Sequence, residues 1–548
     1  METSRFKRRQ TQTQRQTYNE ITGARPLQPS LSRPVAARQA VAQTAQEQVA
    51  APKPNPVAMP SPRGLHQSEA APPRKVRIDM GLPGSEQSFY QAKLMVYGSR
   101  WRSVQRWAFR SVAILLVITI GVGGLLFSQG YMKLHKVFKG NAVSVAALKQ
   151  NVNPDLLKTE GDGRINILLL GRGGGTHDGP DLTDTMMLAS IDPVNHSAVL
   201  LSIPRDLWID VPDQGNMKIN AAWESGEFKY EGKIAPGSTD PQAIQAGFNE
   251  ADQTVETVLG VTIDYNMIMD FQAFQQAVDT IGGVSINVPT ELYDPTMAWQ
   301  NNNNPILAEP GLQTFDGNQA LNYVRSRETT SDFARGQRQR AVLLAIKQKA
   351  ESLGTISNPL KLSGLINAFG NNVATDMSLS DADSLYNVIK SISNSNVSSI
   401  GLADAPNDYV TTGSEEGQSV DLPSAGLYNY SAIQTFVRGQ LKDPYLVKEN
   451  AKVLVLNGTT VPGLATTEAN LLKSYGYNVV GAANAPTNDY AQTKLVDLSH
   501  GKDKYTAHYL EQRLNVTEQT TLPDTSIQTN GADFVIIIGN DEATSSQS

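Results

Sequence analysis

The chain of 548 residues contains no cysteine. Disulfide staples, zinc-thiolate sites and thiol nucleophiles are therefore excluded, and any metal must sit on oxygen or nitrogen ligands. Long apolar runs are scarce too. The one that stands out, Ser111 to Ser128, lacks charge altogether and approaches the roughly 20 residues that a membrane-spanning helix needs. The stretch from residue 1 to about 90 is short of aliphatic clusters and rich in Gln, Pro, Ala and Arg, so it cannot bury enough surface to offset chain entropy. No internal repeat is visible, and the basic tail shows no DNA-binding element, so nucleic acid is not an expected partner.

What is present is distributed unevenly. Residues 1–110 hold 18 basic side chains against 6 acidic ones, leaving 29 against 47 for the rest. Charge thus changes sign across the apolar run. Arg100, Arg102, Arg106 and Arg110, interleaved with Trp101 and Trp107, form the basic, aromatic flank found on the cytoplasmic side of a membrane helix. The expectation is a single-pass cell-membrane protein, with a disordered basic cytoplasmic tail at 1–110, a transmembrane helix at 111–131 and a connector at 132–163. Everything beyond the helix is placed outside the cell, and the tail can touch anionic membrane lipid.

Beyond an expected connector helix near Leu134 to Gln150, short apolar runs at Ile165–Gly171, Ala198–Ile203 and Val284–Val288 read as buried strands. Helical spacing covers Pro241–Leu259 and Asp332–Ser352, a loop is expected at Asp404–Ser424, and a last helix runs to about Gly439. This mixture predicts an α/β, α+β layered domain over 164–440, with a mixed central sheet flanked by helices. A linker at 441–450 precedes a small C-terminal α/β domain at 451–541, and 542–548 form a tail. In that domain the strand Ala451–Leu456, a helix from Ala465 to Tyr475, and strands Tyr477–Val480 and Ala532–Gly539 are expected.

Arginines sit where an apolar core would ordinarily be. In the helix opening at Asp332, residues Asp332, Arg335, Arg338 and Gln339 fall within an arc of roughly 120° that continues into Val342, Leu343 and Ile346. A buried cation needs a partner, and one aspartate does not balance two arginines, so an anionic ligand is the sharper reading. Upstream, Tyr323, Arg325 and Arg327 alternate. On an extended strand the two guanidiniums would lie about 7 Å apart, a spacing suited to linked phosphates. Arg205 follows a buried strand, where open α/β sheets place ligands. The loop after the first strand, Gly171 to Thr185, lacks the Gly-Lys-Ser/Thr ending of a P-loop, but Asp178, Asp181 and Asp184 offer oxygens to a hard cation such as Mg²⁺.

Taken in order, Ile-Leu-Leu-Leu-Gly171, Asp184-Thr-Met-Met-Leu, Ser-Ile-Pro-Arg205-Asp, Lys218-Ile-Asn220-Ala, Gly282-Gly283-Val, Asp316 to Arg327 and Asp332 to Gln339 resemble the LytR-CpsA-Psr family. The stretch from Asn457 to Asp541 resembles the LytR C-terminal domain. The resemblance implies an enzyme, a phosphotransferase that moves a phosphoglycosyl polymer from a polyprenyl-pyrophosphate carrier to a hydroxyl of peptidoglycan. It implies Arg205, Arg325, Arg327, Arg335 and Arg338 as pyrophosphate ligands, Asp332 and Gln339 as orienting groups, and Asp184 as a ligand for Mg²⁺ or Mn²⁺. Where the family usually carries an aspartate two residues after the first-strand glycine, this chain has Gly173, and Asp181 is expected to substitute. Two alternatives stay open: a polyprenyl-pyrophosphate hydrolase, and a non-catalytic lipid-binding assembly factor.

Overall fold

The computed structural model describes residues 145–149 and 152–545, apart from 176, 178, 212–213, 232–239, 353–371 and 405. The expected cytoplasmic tail, the membrane helix and the first part of the connector, residues 132–144, fall outside these residues. Among the described residues, no helix is long and apolar enough to cross a membrane.

Six strands form the central sheet: β1 (Ile165–Arg172), β2 (Thr185–Asp192), β3 (Ser197–Ser202), β4 (Tyr265–Asp270), β5 (Val373–Thr375) and β6 (Val397–Gly401), in the order β5-β4-β1-β2-β3-β6. β1 runs parallel to β4 and antiparallel to β2, and β3 runs parallel to β6. Alternate residues of these strands feed two cores. Leu168, Leu170, Leu188 and Leu201 face one; Ile165, Ile167, Ala189 and Leu200 face the other. Because both faces are covered, each strand reads as a near-continuous apolar run. A leucine as fully buried as Leu168 or Leu188 contributes about 2 kcal/mol relative to exposure.

Helix α1 (Pro241–Leu259) covers the first face with Phe248, Ala251, Val255 and Val258. Its ends are written in the sequence. Asp240 caps the N-terminus, Pro241 opens it, and Gly260 at φ 68° closes it in the left-handed conformation. A third core gathers α2 (Phe271–Thr280), the antiparallel pair Val284–Val288 and Gly311–Phe315, α3 (Gly317–Arg325) and part of α4 (Asp332–Ser352). The other face of the sheet is covered by α5 (Leu379–Lys390), and α6 (Ser431–Gln440) adds Ile433 and Val437 to the first.

Several expectations need correction. Tyr323, Arg325 and Arg327 do not share a strand; the first two occupy the last turn of α3 and Arg327 follows it. The cause is a capping box, in which Asp316 accepts from Gln319 N and Gln319 accepts from Asp316 N. The expected loop from Asp404 contains a hairpin, Val410–Glu415 with Gln418–Pro423, turning through Glu416 at φ 50° and Gly417 at φ 80°. Most of the expected connector helix, 134–144 and 150, lies outside the described residues; the part within them holds a 3₁₀ turn, Ala146–Leu148.

The linker is also a packed element. Asp443 caps a helix, Pro444–Glu449, whose Tyr445 and Leu446 join Val152 and Leu157 in the core of the C-terminal domain. That domain has strands β7 (Lys452–Asn457), β8 (Asn478–Asn484), β9 (Lys494–Asp497) and β10 (Phe534–Ile538) in the order β8-β7-β10-β9, with helices α7 (Leu464–Tyr475) and α8 (Lys504–Leu514). Asp443, 1% exposed, accepts from Gly161 N, Tyr445 N, Leu446 N and Tyr509 Oη at 2.8–3.2 Å. Glu160 receives Arg513 through two nitrogens and Tyr477 Oη at 2.8 Å.

Candidate active site

One edge of the central sheet collects the ends of β1, β3, β4 and β6. Gly171 pairs with Thr185 at the start of β2, and Ser202 pairs with both Met187 and Gly401. Residues just outside this edge carry Asp184, Arg205 and Asp404. Helix α4 settles against it at Gly336, where a β-carbon would come 3.3 Å from Ser202 Oγ. Between them lies a cleft of about 360 Å³ lined by Asp184, Asp332, Arg335, Gln339, Arg340 and Asp404, among others.

Backbone bonds knit the first part of the site. Thr183 N donates to Asn220 O, and Asn220 N donates to Arg205 O. The Asp184 side chain is 40% exposed, and its Oδ1 accepts from Arg205 Nη1 at 2.5 Å and Asn220 Nδ2 at 3.3 Å. Arg205 Nε lies 3.4 Å from Asp206 and 3.6 Å from Asp332, yet it is buried and makes no hydrogen bond. Burial disfavours the Arg205 charge, but Asp184, Asp206 and Asp332 outweigh it and hold the pKa above the ordinary value.

Arg335, 5% exposed, meets Asp332 at 2.6 Å and donates to Asp184 O at 3.3 Å. Burial lowers its pKa; Asp332 opposes that shift and Arg205 adds to it. Burial likewise raises the Asp332 carboxyl against the pull of Arg335 and Arg205. Gln339 donates to Thr185 Oγ1 at 2.8 Å, tying α4 to β2. The arrangement is a set of arginines fixed among carboxylates at a cleft, and guanidiniums held in this way can pair with phosphate oxygens.

Of the predicted residues, the cleft lining brings together Arg335, Asp184, Asp332 and Gln339 and leaves Arg325, Arg327 and Arg338 off it; Arg205 stands behind that lining, against Asp184 and Asp332. Arg325 lies over the Phe271 ring at 4.4 Å and donates to Gln300 Oε1 at 2.9 Å. Arg327 is 40% exposed beside Glu328. Arg338 donates to Tyr323 O at 2.9 Å and to Ser326 O, where it closes the end of α3. Asp181 does not join Asp184. It is 1% exposed and accepts from Arg172 Nη1 at 2.8 Å, because that arginine is itself buried over Trp223 and needs a counter-charge. At Gly173 a β-carbon would meet His177 at 3.0 Å, so the loop folds over the position where a carboxylate was missed. Asp178 lies outside the described residues.

Among the described residues, no group of three or more His, Asp or Glu stands ready to hold a metal ion. Arg205 and Asn220 both donate to Oδ1 of the half-exposed Asp184 carboxylate. One such carboxylate fits Mg²⁺ in its usual mode, completed by substrate phosphate and water. Sequence reasoning missed Arg340 and Asp404. Arg340 directly follows Gln339, and Asp404 follows β6 just as Arg205 follows β3, a position after a strand that signals a site.

The fold and cleft define an α/β protein with arginines and carboxylates gathered at one sheet edge. Comparison with known proteins specifies the class. The LytR_cpsA_psr family model matches residues 129–421, and the model described as LytR cell envelope-related transcriptional attenuator matches residues 450–541. The chain belongs to the LytR-CpsA-Psr family. It is 28% identical over 295 residues to the polyisoprenyl-teichoic acid–peptidoglycan teichoic acid transferase TagT of Bacillus subtilis, covering 53% of this chain and 84% of that one. It is 31% identical over 291 residues to TagU of Oceanobacillus iheyensis, a transferase of the same description, covering 51% and 80%. The cell wall biosynthesis protein LcpA of Corynebacterium glutamicum is 28% identical over 465 residues, covering 77% and 83%.

Proposed function

We propose that this chain is a membrane-anchored transferase that moves a phosphoglycosyl polymer from a polyprenyl-diphosphate carrier to a peptidoglycan hydroxyl on the outer face of the cell membrane. The observation that carries the reading is the cleft itself: Arg335, buried and carboxylate-braced, lies on its lining, and Arg205 is held beside it by Asp184, Asp206 and Asp332. The relatives named as teichoic acid transferases supply the reaction class. In this reading Arg205 and Arg335 bind the diphosphate, and Asp332 and Gln339 keep α4 in register with it. Arg325 and Arg327, further from the cleft, meet outlying parts of the donor. Positioning and charge neutralisation are most of what phosphoryl transfer asks of a protein. Asp184 would hold Mg²⁺, which supplies further neutralisation of the phosphate oxygens.

The test uses the full-length chain in membranes, a polyprenyl-diphosphate-linked oligosaccharide and peptidoglycan. Covalent attachment of the oligosaccharide with release of polyprenyl monophosphate is expected. Release without attachment would make the protein a hydrolase, and binding without release would make it a lipid receptor.

A further inference from the structure

On α4, two rows of polar residues flank Gly336. One row, Asp332, Arg335 and Gln339, faces Asp184 and Arg205. The other row is Gln337 and Arg340, three residues apart on a different side of the helix, and both turn to Asp404. Arg340 is 2% exposed and each of its nitrogens donates: Nε to Ser399 Oγ at 2.8 Å, Nη1 to Ser202 Oγ at 2.6 Å, and Nη2 to Asp404 Oδ2. Gln337 Nε2 donates to Asp404 Oδ1 at 3.2 Å. Gly401 completes the frame, because a β-carbon there would lie 3.0 Å from the carboxylate carbon and both its oxygens. The Asp404 carboxylate is thus fixed from two sides, and a side chain at 401 would displace it. It remains 15% exposed and lines the same cleft as Arg335 and Asp184.

A carboxylate so placed repels a diphosphate but accepts a hydrogen bond from a neutral hydroxyl. Transfer needs such a hydroxyl held in line with the phosphorus. Building on the transferase reading, we propose that Asp404 is the catalytic base on the acceptor side of the cleft and that Arg340 is its positioning residue. The acceptor oxygen forms a bond to the glycan-linked phosphorus as the bridging P–O bond breaks. Polyprenyl monophosphate leaves with that bond's electron pair, and the hydroxyl proton passes to Asp404 and then to solvent.

The experiment is steady-state transfer by the full-length chain in membranes, with a polyprenyl-diphosphate-linked oligosaccharide as donor and soluble peptidoglycan fragments as acceptor. Asp404→Asn is expected to lower kcat about 100-fold, leave the donor KM unchanged, and abolish the acid limb of the pH–rate profile; Asp404→Glu should restore part of the rate. Gly401→Ala, which keeps the carboxylate but shifts it, should lower kcat with the same unchanged donor KM, and it decides the matter if Asp404→Asn fails to fold. Wild-type kcat in Gly401→Ala, or in a folded Asp404→Asn with its acid limb intact, overturns the assignment. A wild-type chain that transfers nothing overturns the function instead, so the two failures are distinguishable.

Discussion

Two arginine–carboxylate clusters in this chain use the same chemistry to opposite ends. Between the connector and the C-terminal domain, Arg513 meets Glu160 through Nε and Nη2, and Tyr477 Oη completes the carboxylate's bonds. Burial works against the Arg513 charge, but the paired bonds to Glu160 outweigh it and raise its pKa. At the cleft, burial prevails over Asp332 and lowers the pKa of Arg335, and Arg205 keeps a donor unbonded. The closed pair is finished by the protein; in the proposed reading a ligand finishes the open cluster. Removing a member of the first should therefore cost folding, and removing a member of the second should cost function.

The largest effect is expected from Arg335→Ala, which should reduce transfer by about 10³-fold, the scale of one positioned cation in phosphoryl transfer. Arg335→Lys should not restore it, since an ammonium lacks the planar fork. Near wild-type turnover in both variants would erase the contrast between the clusters. Next comes Glu160→Gln, which leaves Arg513 buried without its counter-charge and should destabilise the chain by about 3 kcal/mol in denaturant unfolding, with kcat of the folded fraction unchanged. A fall in kcat at undiminished stability would mean that the closed pair also serves the reaction. Asp184→Asn is expected to raise the Mg²⁺ concentration for half-maximal transfer about tenfold, read from a metal titration; wild-type turnover undiminished by EDTA would remove the ion from the mechanism.

The smallest effect sharpens the comparison through pH. Burial, reinforced by Asp206 and Asp332, pushes the Asp421 carboxyl up from 3.8 to about 6. A carboxyl raised in the native state contributes stability that is fully present below its unfolded pKa and is lost as pH rises through about 6. Unfolding free energy should therefore decline between about pH 4 and pH 6 in the wild type and less so in Asp421→Asn. Equal slopes in the two proteins would show that burial beside Asp206 and Asp332 does not raise the Asp421 carboxyl.

Much of this was legible in the sequence. β1 and β3 announced themselves because helices cover both faces of the sheet and leave continuous apolar runs, and α1 carried Asp-Pro at one end and Gly at the other. Asp332, Arg335 and Gln339 stood out as polar residues on an apolar helix face, Arg205 as a cation just after a buried strand and Asp184 as a loop carboxylate. The rest was hidden for identifiable reasons. α3 is short, and its arginines mimic strand alternation unless the Asp316–Gln319 box is weighed first. Asp181 could not be separated from Asp184 by spacing, because its partner Arg172 acts across a fold of the loop. In the C-terminal domain β9 has only four residues, and α8 mixes Thr506 and Tyr509 with Ala507, Leu510 and Leu514 on its buried face. Asp404 depends on Arg340 and Gly401, which only the assembled sheet edge brings to it.

The carboxylate of Asp443 has a consequence for how the chain comes apart. It gathers Gly161, Tyr445 and Tyr509 around one buried point, immediately after the exposed Lys442. A protease that cuts after Lys442 would sever the only covalent path from the first domain to the second within the described residues. The fragments would stay together, since Tyr505 Oη still reaches Val152 O at 2.7 Å, His508 Nε2 still reaches Leu157 O at 2.7 Å and Arg513 still grips Glu160. The nicked protein would separate into two bands under denaturing electrophoresis and yet leave a sizing column as a single species.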